Sequence, residues 1–205
     1  MGIYREQVLP RVQDKVMDVK RMRDVRARVC EGLKGDVVEV GFGTGLNTPY
    51  YPRDVTKVFA VEPSQVCMRI AKPRIERSSV PVAPAGLTGE HLDLPSESFD
   101  AVLSTWTLCT IPDVERALAE LHRVLKPGGS FHFVEHGHAP DAKVARWQAR
   151  IEPVWKPIAG GCHLTRRIDE QIADAGFALH DLDRYYMADE PKPFGYTFEG
   201  RATKT

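Results

Sequence analysis

The 205-residue chain sets 28 Lys and Arg against 28 Asp and Glu and is 42% hydrophobic, which suits one domain with a sizeable core and gives no charge excess to argue for nucleic acid. Its cysteines, Cys30, Cys67, Cys109 and Cys162, are widely spread without a C-x-x-C pair, free-thiol usage for a reducing compartment and not a disulfide or zinc framework. The sequence has no apolar leader and no run of about 18 apolar residues, so a soluble, cytoplasmic protein is expected.

Residues 3–32 read as helical. Val12, Val16, Val19, Met22, Val25 and Val29 recur at steps of three and four, and Pro10 should part a short leading turn carrying Tyr4 from the helix proper. The polar face holds Arg11, Lys15, Lys20, Arg21, Arg23, Arg26 and Arg28. A solvated face is preferred to contact with an anionic membrane, because the stripe lacks Trp, Phe or Leu anchors.

The next stretch, Val37-Val38-Glu39-Val40-Gly41-Phe42-Gly43-Thr44-Gly45-Leu46-Asn47, organises the chain. A strand runs into three glycines at alternate positions, and a helix is expected to begin at the third. Glycine permits φ > 0 and close approach of a ligand to the main chain, and the unpaired N–H groups of a helix start would face that ligand. Glu39, polar among valines at the strand end, would repel a phosphate and attract an α-amino group. That favours an amino-acid-bearing nucleoside over a dinucleotide. A tight turn that binds nothing would use the same glycines, so the remaining chain must decide.

Lys57 to Val61 reads as the second strand, ending at Glu62. Ser64 can cap a helix through Ile70 and Ala71, stopped near Pro73. Val80 to Ala83 is a weak third strand, and Phe99 to Leu103 a fourth. Asp113 can cap a helix with Val114, Leu118, Leu121 and Leu125 on its apolar face; Pro127-Gly128-Gly129 ends it, and Ser130 to Glu135 is the fifth strand. The alternation implies a doubly wound α/β fold with a mostly parallel sheet. Asp141 to Ile151 looks helical, Pro153 and Pro157 should break it, and Thr165 can cap a helix ending at Gly176. Ala178–Tyr186 and Tyr196–Ala202 then pair as a terminal antiparallel ending.

Glu62 lies where an acid meets ribose hydroxyls in doubly wound folds, and Gly89-Glu90-His91 could meet an exocyclic adenine amine. With Ser98-Phe99-Asp100 and Leu125-Lys126-Pro127-Gly128-Gly129, these motifs resemble in order those of class I S-adenosylmethionine (SAM)-dependent methyltransferases, over roughly residues 36–136. The resemblance implies a Rossmann-like, seven-stranded sheet, with residues 1–34 as a helical cap, 35–136 as the cofactor-binding core and 137–205 as the acceptor side. It implies Gly41, Gly43 and Gly45 near the methionine and ribose parts, Glu39 near the amino group, Glu62 on the ribose and Glu90 near adenine. It extends the cofactor-binding set to Asn47, Pro63, Gly89, His91 and Thr105.

Thr107-Leu108-Cys109, Val134-Glu135-His136, Glu152-Pro153-Val154-Trp155-Lys156 and Gly161-Cys162-His163-Leu164-Thr165-Arg166 are similar to the animal methyltransferase-like-seven proteins, membrane-associated alkyl-thiol S-methyltransferases. The hydrophobic N-terminal anchor of those proteins is not in this sequence. The resemblance implies a small, apolar acceptor, foremost a thiol. A phospholipid amine or quinone carbon is the alternative acceptor, and a SAM-binding protein without catalysis the alternative role. A nicotinamide oxidoreductase is disfavoured by Glu39 and the terminal strands. Methyl transfer chiefly needs alignment, and a thiol also needs its thiolate favoured. His136, at the carboxyl end of the fifth strand, is the first candidate base and His163 its companion, with His138 behind them. Cys162 reads as pocket lining or a small buried residue. Glu135, His136, His138 and His163 show no sequence-local metal spacing, so no metal is expected. Trp106, Trp147 and Trp155 are core or pocket wall, Trp106 with the strongest pocket case. The N-terminal helix and residues 140–165 should close over the site.

Overall fold

The computed structural model describes residues 2–205. Strands β1 (Gly35–Val40), β2 (Val55–Val61), β3 (Val82–Gly86), β4 (Phe99–Thr105), β5 (Leu125–His136), β6 (Phe177–Tyr186) and β7 (Tyr196–Lys204) form one sheet in the order β3-β2-β1-β4-β5-β7-β6. The first five pair in parallel, and β7 runs antiparallel between β5 and β6. This is the doubly wound sheet with an antiparallel ending that the alternation implies.

Period-two alternation divides the central strands between two cores. Val38, Val40 and Val102 pack with Leu118, Leu121, Ile168 and Ile172, from helices α4 (Val114–Val124) and α6 (Ile168–Asp174). Val37, Ala101 and Leu103 face the other way, against Met22, Val25 and Val29 of α2 (Lys20–Cys30). Strands buried on both faces read as continuous apolar runs, as β1 and β4 do. Helices α1 (Leu9–Val16), α3 (Gln65–Arg77) and α5 (Ala142–Ile158) complete the main set, with a short turn at Lys192–Gly195. No described helix is long and apolar enough to cross a membrane.

Several expected boundaries are corrected. The N-terminal helix is two helices, α1 and α2, separated at residues 17–19, where Val19 is extended (φ −96°, ψ 157°). The break divides the valine stripe: Val12 and Val16 are exposed while Met22, Val25 and Val29 are buried. Pro10 does stand where expected: a short π-helical turn, Tyr4–Val8, leads into α1 at Leu9, and Pro10 lies in the first turn of α1. No helix starts at Gly45. A single 3-10 turn, Thr48–Tyr50, carries Pro49, and the chain is extended again at Tyr51. Pro73, Pro153 and Pro157 lie inside α3 and α5 without ending them. All three face solvent, where water can take the carbonyls they leave unpaired. Thr165 does not cap α6; its hydroxyl bonds Glu152 instead.

Candidate active site

The parallel strands deliver their carboxyl ends, Val40, Val61, Thr105 and His136, to one edge of the sheet, where ligands of such folds gather. After β1 the glycines answer to different constraints. Gly41 (φ 69°) lies so close to the Thr107 side chain that a Cβ would collide with it. A Cβ on Gly45 would touch Ala71 and Phe42 at 3.3 Å. Gly43 (φ 58°) has only the Gly41 carbonyl within reach, 3.7 Å from a would-be Cβ. Its outer face is therefore open space that a Cβ would partly fill.

Glu62 follows β2 and closes on that loop. One carboxylate oxygen accepts the Gly43 N–H and the other the Ser64 N–H, each at 2.8 Å. Burial pushes its pKa above the usual carboxylate range, against those two amides and Cys67. Each oxygen retains acceptor capacity. A groove of about 390 Å³ opens beside it, lined by Glu62, Gln65, Met68, Gly86 and Leu87. Pro63, next in the chain after Glu62, is exposed. Gly89 packs over the end of β1, a would-be Cβ lying 2.8 Å from Val40. Glu90 accepts the Asp113 N–H at 2.9 Å, and His91 stands exposed, 3.2 Å from Asp93. The open cradle at Gly43 and the half-buried acid beside it fit the ribose and methionine parts of SAM.

Glu39 departs from its expected place. It is 1% exposed and turned under the loop, one oxygen accepting the Asn47 amide at 2.9 Å and the other the Tyr51 hydroxyl. Burial lifts its pKa to about 7, against the pull of Tyr51, Asn47 and Arg26. Arg26 is no part of a solvated face. It is 5% exposed, donates to Asn47 at 2.8 Å and Thr105 at 3.1 Å, and stacks 4.8 Å from the Trp106 ring. Asn47 and Thr105, also buried, thus join an internal network beneath the loop. The sequence hides this because a buried arginine and a solvated one recur at the same helical spacing.

Beyond β4 the chain turns at Trp106, whose φ of 52° places a non-glycine residue in the left-handed region. Its indole is buried among α2 and sheet residues. Glu135, wholly buried, accepts from the Thr107, Leu108 and Cys109 amides and the Ser104 hydroxyl at 2.7–3.2 Å. From the other side the Arg166 guanidinium donates to the Leu108, Ile111 and Pro112 carbonyls. Glu152, on α5, shapes the second loop by accepting from the Leu164 amide and from the amide and hydroxyl of Thr165, at 2.8–2.9 Å. Its other oxygen lies 3.1 Å from His163 Nδ1. The His163 amide then bonds the Cys109 carbonyl at 2.8 Å, tying the loops together.

Between them stand Cys109, His136 and Cys162, their donor atoms within 4.8 Å of one another. Cys109 and Cys162 are buried and His136 half-buried. Cys109 does most to hold the Cys162 thiol below its usual range; burial opposes this, and His136 and the Trp155 indole assist. Burial weakens the His136 imidazolium, but Cys162 more than restores it, so its pKa stands above the usual value. Leu164, Ile151, Trp155, Ala159 and Phe194 wall the cluster. Thr107, two residues before Cys109, touches Gly41, so the cluster adjoins the glycine loop. The structure brings His136 and Cys162 together, and holds His163 behind them on Glu152. His138 is not among the clustered donors; its backbone N–H bonds the Arg166 carbonyl. Trp147 is exposed. Sequence reading gave no role to Cys109, Glu152 and Arg166, for which only the similar short motifs gave a signal, or to Tyr51, for which nothing did.

A methyltransferase-domain family profile matches residues 38–133. Over 196 residues the chain is 33% identical to thiol S-methyltransferase TMT1B of Rattus norvegicus, covering 93% of this chain and 80% of that one. Over 123 residues it is 33% identical to the phosphatidylethanolamine N-methyltransferase of Cereibacter sphaeroides, covering 58% and 60%. A solved SAM-dependent methyltransferase of Thermotoga maritima superposes with a TM-score of 0.68 at 24% identity, covering 99% of this chain and 98% of that one, and shares the fold.

Proposed function

The chain belongs to the class I SAM-dependent methyltransferases and, within them, to the family of the thiol S-methyltransferases; from that premise we propose that its acceptor is a small apolar thiol. SAM is the methyl donor, and when bound it supplies an activated methyl group on its sulfonium. The observation that carries the thiol reading is the aliphatic and aromatic wall around Cys109, His136 and Cys162, next to the glycine loop. Such a wall excludes water and suits an apolar acceptor. The neighbouring carboxylates, Glu135 and Glu152, are engaged by backbone amides. Neither has the freedom to pair with the ammonium head of a lipid amine.

The Gly43 main chain receives the cofactor, Glu62 binds its ribose hydroxyls, and residues 89–91 border adenine. Glu39, Asn47 and Thr105 support the loop from beneath, with Gly41 and Gly45 shaping it. His136 meets the acceptor sulfur and favours its thiolate, and His163 assists from the Glu152 side. The segments forming this end then align the sulfur with the methyl group. We read the protein as a soluble cytoplasmic enzyme that contacts membranes peripherally at most and has no nucleic-acid partner.

The test is S-adenosylhomocysteine formation with alkyl thiols, lipid amines and quinones offered in parallel. Thiols should turn over, and His136→Ala should slow them while SAM affinity holds. Turnover of a lipid amine or quinone alone would overturn the thiol assignment.

A further inference from the structure

We propose that Cys109, Cys162 and His136 form a three-ligand site for one thiophilic divalent cation, of the zinc type, whose open fourth position takes the acceptor sulfur as a thiolate. The last clause rests on the thiol reading; the site itself does not.

The donor set is two sulfurs and an imidazole, the ligands zinc selects, and three protein ligands with one free position is the arrangement of catalytic zinc. With Zn–S near 2.3 Å and Zn–N near 2.0–2.1 Å, tetrahedral donors stand roughly 3.5–3.8 Å apart. The three donor atoms already lie within 4.8 Å of one another, so a small closing movement suffices. The ligands come from separate segments, each fixed before any ion arrives. Glu135 holds the Cys109 turn through three amides, and Glu152 holds the loop beyond Cys162 through two. His136 ends β5, one residue past Glu135. The buried indole N–H of Trp155 has no oxygen or nitrogen acceptor and packs in the same cluster as Cys162. It can donate to a metal-bound thiolate, as outer partners of metal ligands do.

Such an ion meets the chemical need of the reaction. A thiol entering an apolar pocket must shed its proton where burial favours the neutral form. A thiol that coordinates a cation is deprotonated outright. Its proton leaves to solvent, and its sulfur lone pair attacks the methyl carbon. The carbon–sulfonium bond breaks with its electrons on the departing sulfur, giving a thioether and S-adenosylhomocysteine. The thioether carries no charge and leaves the cation.

The test uses the full chain, stripped with a chelator under thiol-free reducing conditions and titrated with Co(II). The expected result is one equivalent bound, with a sulfur-to-cobalt charge-transfer band and intense tetrahedral visible bands. Cys109→Ser and Cys162→Ser should each lose charge-transfer intensity and bind at least about tenfold more weakly. Cys67→Ser, remote from the three ligands, should match the wild type in Co(II) stoichiometry and charge-transfer intensity. SAM titration of each variant checks that it is folded. Adding a simple alkyl thiol should shift the visible bands, and zinc should raise thiol turnover of the stripped enzyme. A protein without the charge-transfer band, or a Cys162→Ser variant that keeps it, overturns the site. A full site with thiol turnover unchanged by metal overturns the activating role and leaves the thiol reading standing. Metal binding without turnover of any thiol overturns the thiol reading and leaves the site.

Discussion

The glycine loop and the Cys109 turn are each built over a buried carboxylate, yet the two carboxylates work differently. Under the donor loop Glu39 is held by side chains, Asn47 and Tyr51, with the buried Arg26 nearby. At the acceptor end Glu135 is held by main-chain amides of the turn it shapes. The donor loop draws its shape from its own glycines, and its carboxylate is a buttress. The acceptor loops have no such local code, so a carboxylate acts as their template.

That contrast breaks first at Glu135. Glu135→Leu would leave three buried amides without acceptors, each costing roughly 1–3 kcal/mol, so unfolding should lose about 3–5 kcal/mol. Urea denaturation measures it. A loss under 1 kcal/mol would mean that the turn holds its own shape.

The second test turns on Glu39, whose pKa rises from 4.5 to about 7 on folding because of burial. Between those values the folded chain holds more protons than the unfolded one. This contribution is therefore fully present below pH 4.5 and lost as pH rises through 7, on the order of 3 kcal/mol. Glu39→Gln keeps an acceptor for Asn47 and should flatten the decline between pH 5 and 8. A variant with the wild-type slope would place that titration elsewhere.

The same contrast explains what the sequence disclosed. Glycine spacing, strand-end acids and apolar alternation are local signals, and they carried the parallel sheet with its antiparallel ending and the place of the glycine turn. Arg26 was misplaced because helical periodicity cannot tell a buried cation from a solvated one when the helix breaks at residues 17–19. The acceptor end was legible only as scattered motifs. Cys109, His136 and Cys162 lie far apart in the chain and meet through Glu135, Glu152 and Arg166, none of which announces its partners by spacing.

Two substitutions sharpen the donor side. Glu62→Gln removes charge at near-constant shape, so SAM and S-adenosylhomocysteine should weaken equally, by about 1–3 kcal/mol. Selective loss of one ligand in calorimetry would argue against a ribose contact. Gly43→Val adds bulk to the open face of the loop and should weaken SAM at least about tenfold. The positive φ also strains the variant, by roughly 1–2 kcal/mol of stability. Normal SAM binding by a folded Gly43→Val protein would remove the loop from the site.

The smallest effect belongs to the segment that touches both ends. Tyr4 donates to the Ile158 carbonyl at 2.9 Å, at the acceptor-side end of α5. Asp14, on α1, receives Arg74 Nη1 at 2.7 Å, and the same nitrogen holds the Thr44 carbonyl of the glycine loop at 2.9 Å. The N-terminal helix thus links the acceptor helix to the donor loop through one arginine. Asp14→Asn keeps a hydrogen-bond acceptor and removes the charge. Both side chains are about a fifth exposed, so screening should limit the stability loss to less than about 1 kcal/mol. Arg74 would then hold Thr44 less firmly, and SAM should weaken by about twofold, the equivalent of roughly 0.5 kcal/mol. Paired melting curves and SAM titrations measure the two losses. If melting falls while SAM affinity does not, the ion pair staples the cap and has no influence on the loop. If affinity falls with melting unchanged, the cap acts on the glycine loop through Arg74, and the loop and the end of α5 are mechanically joined.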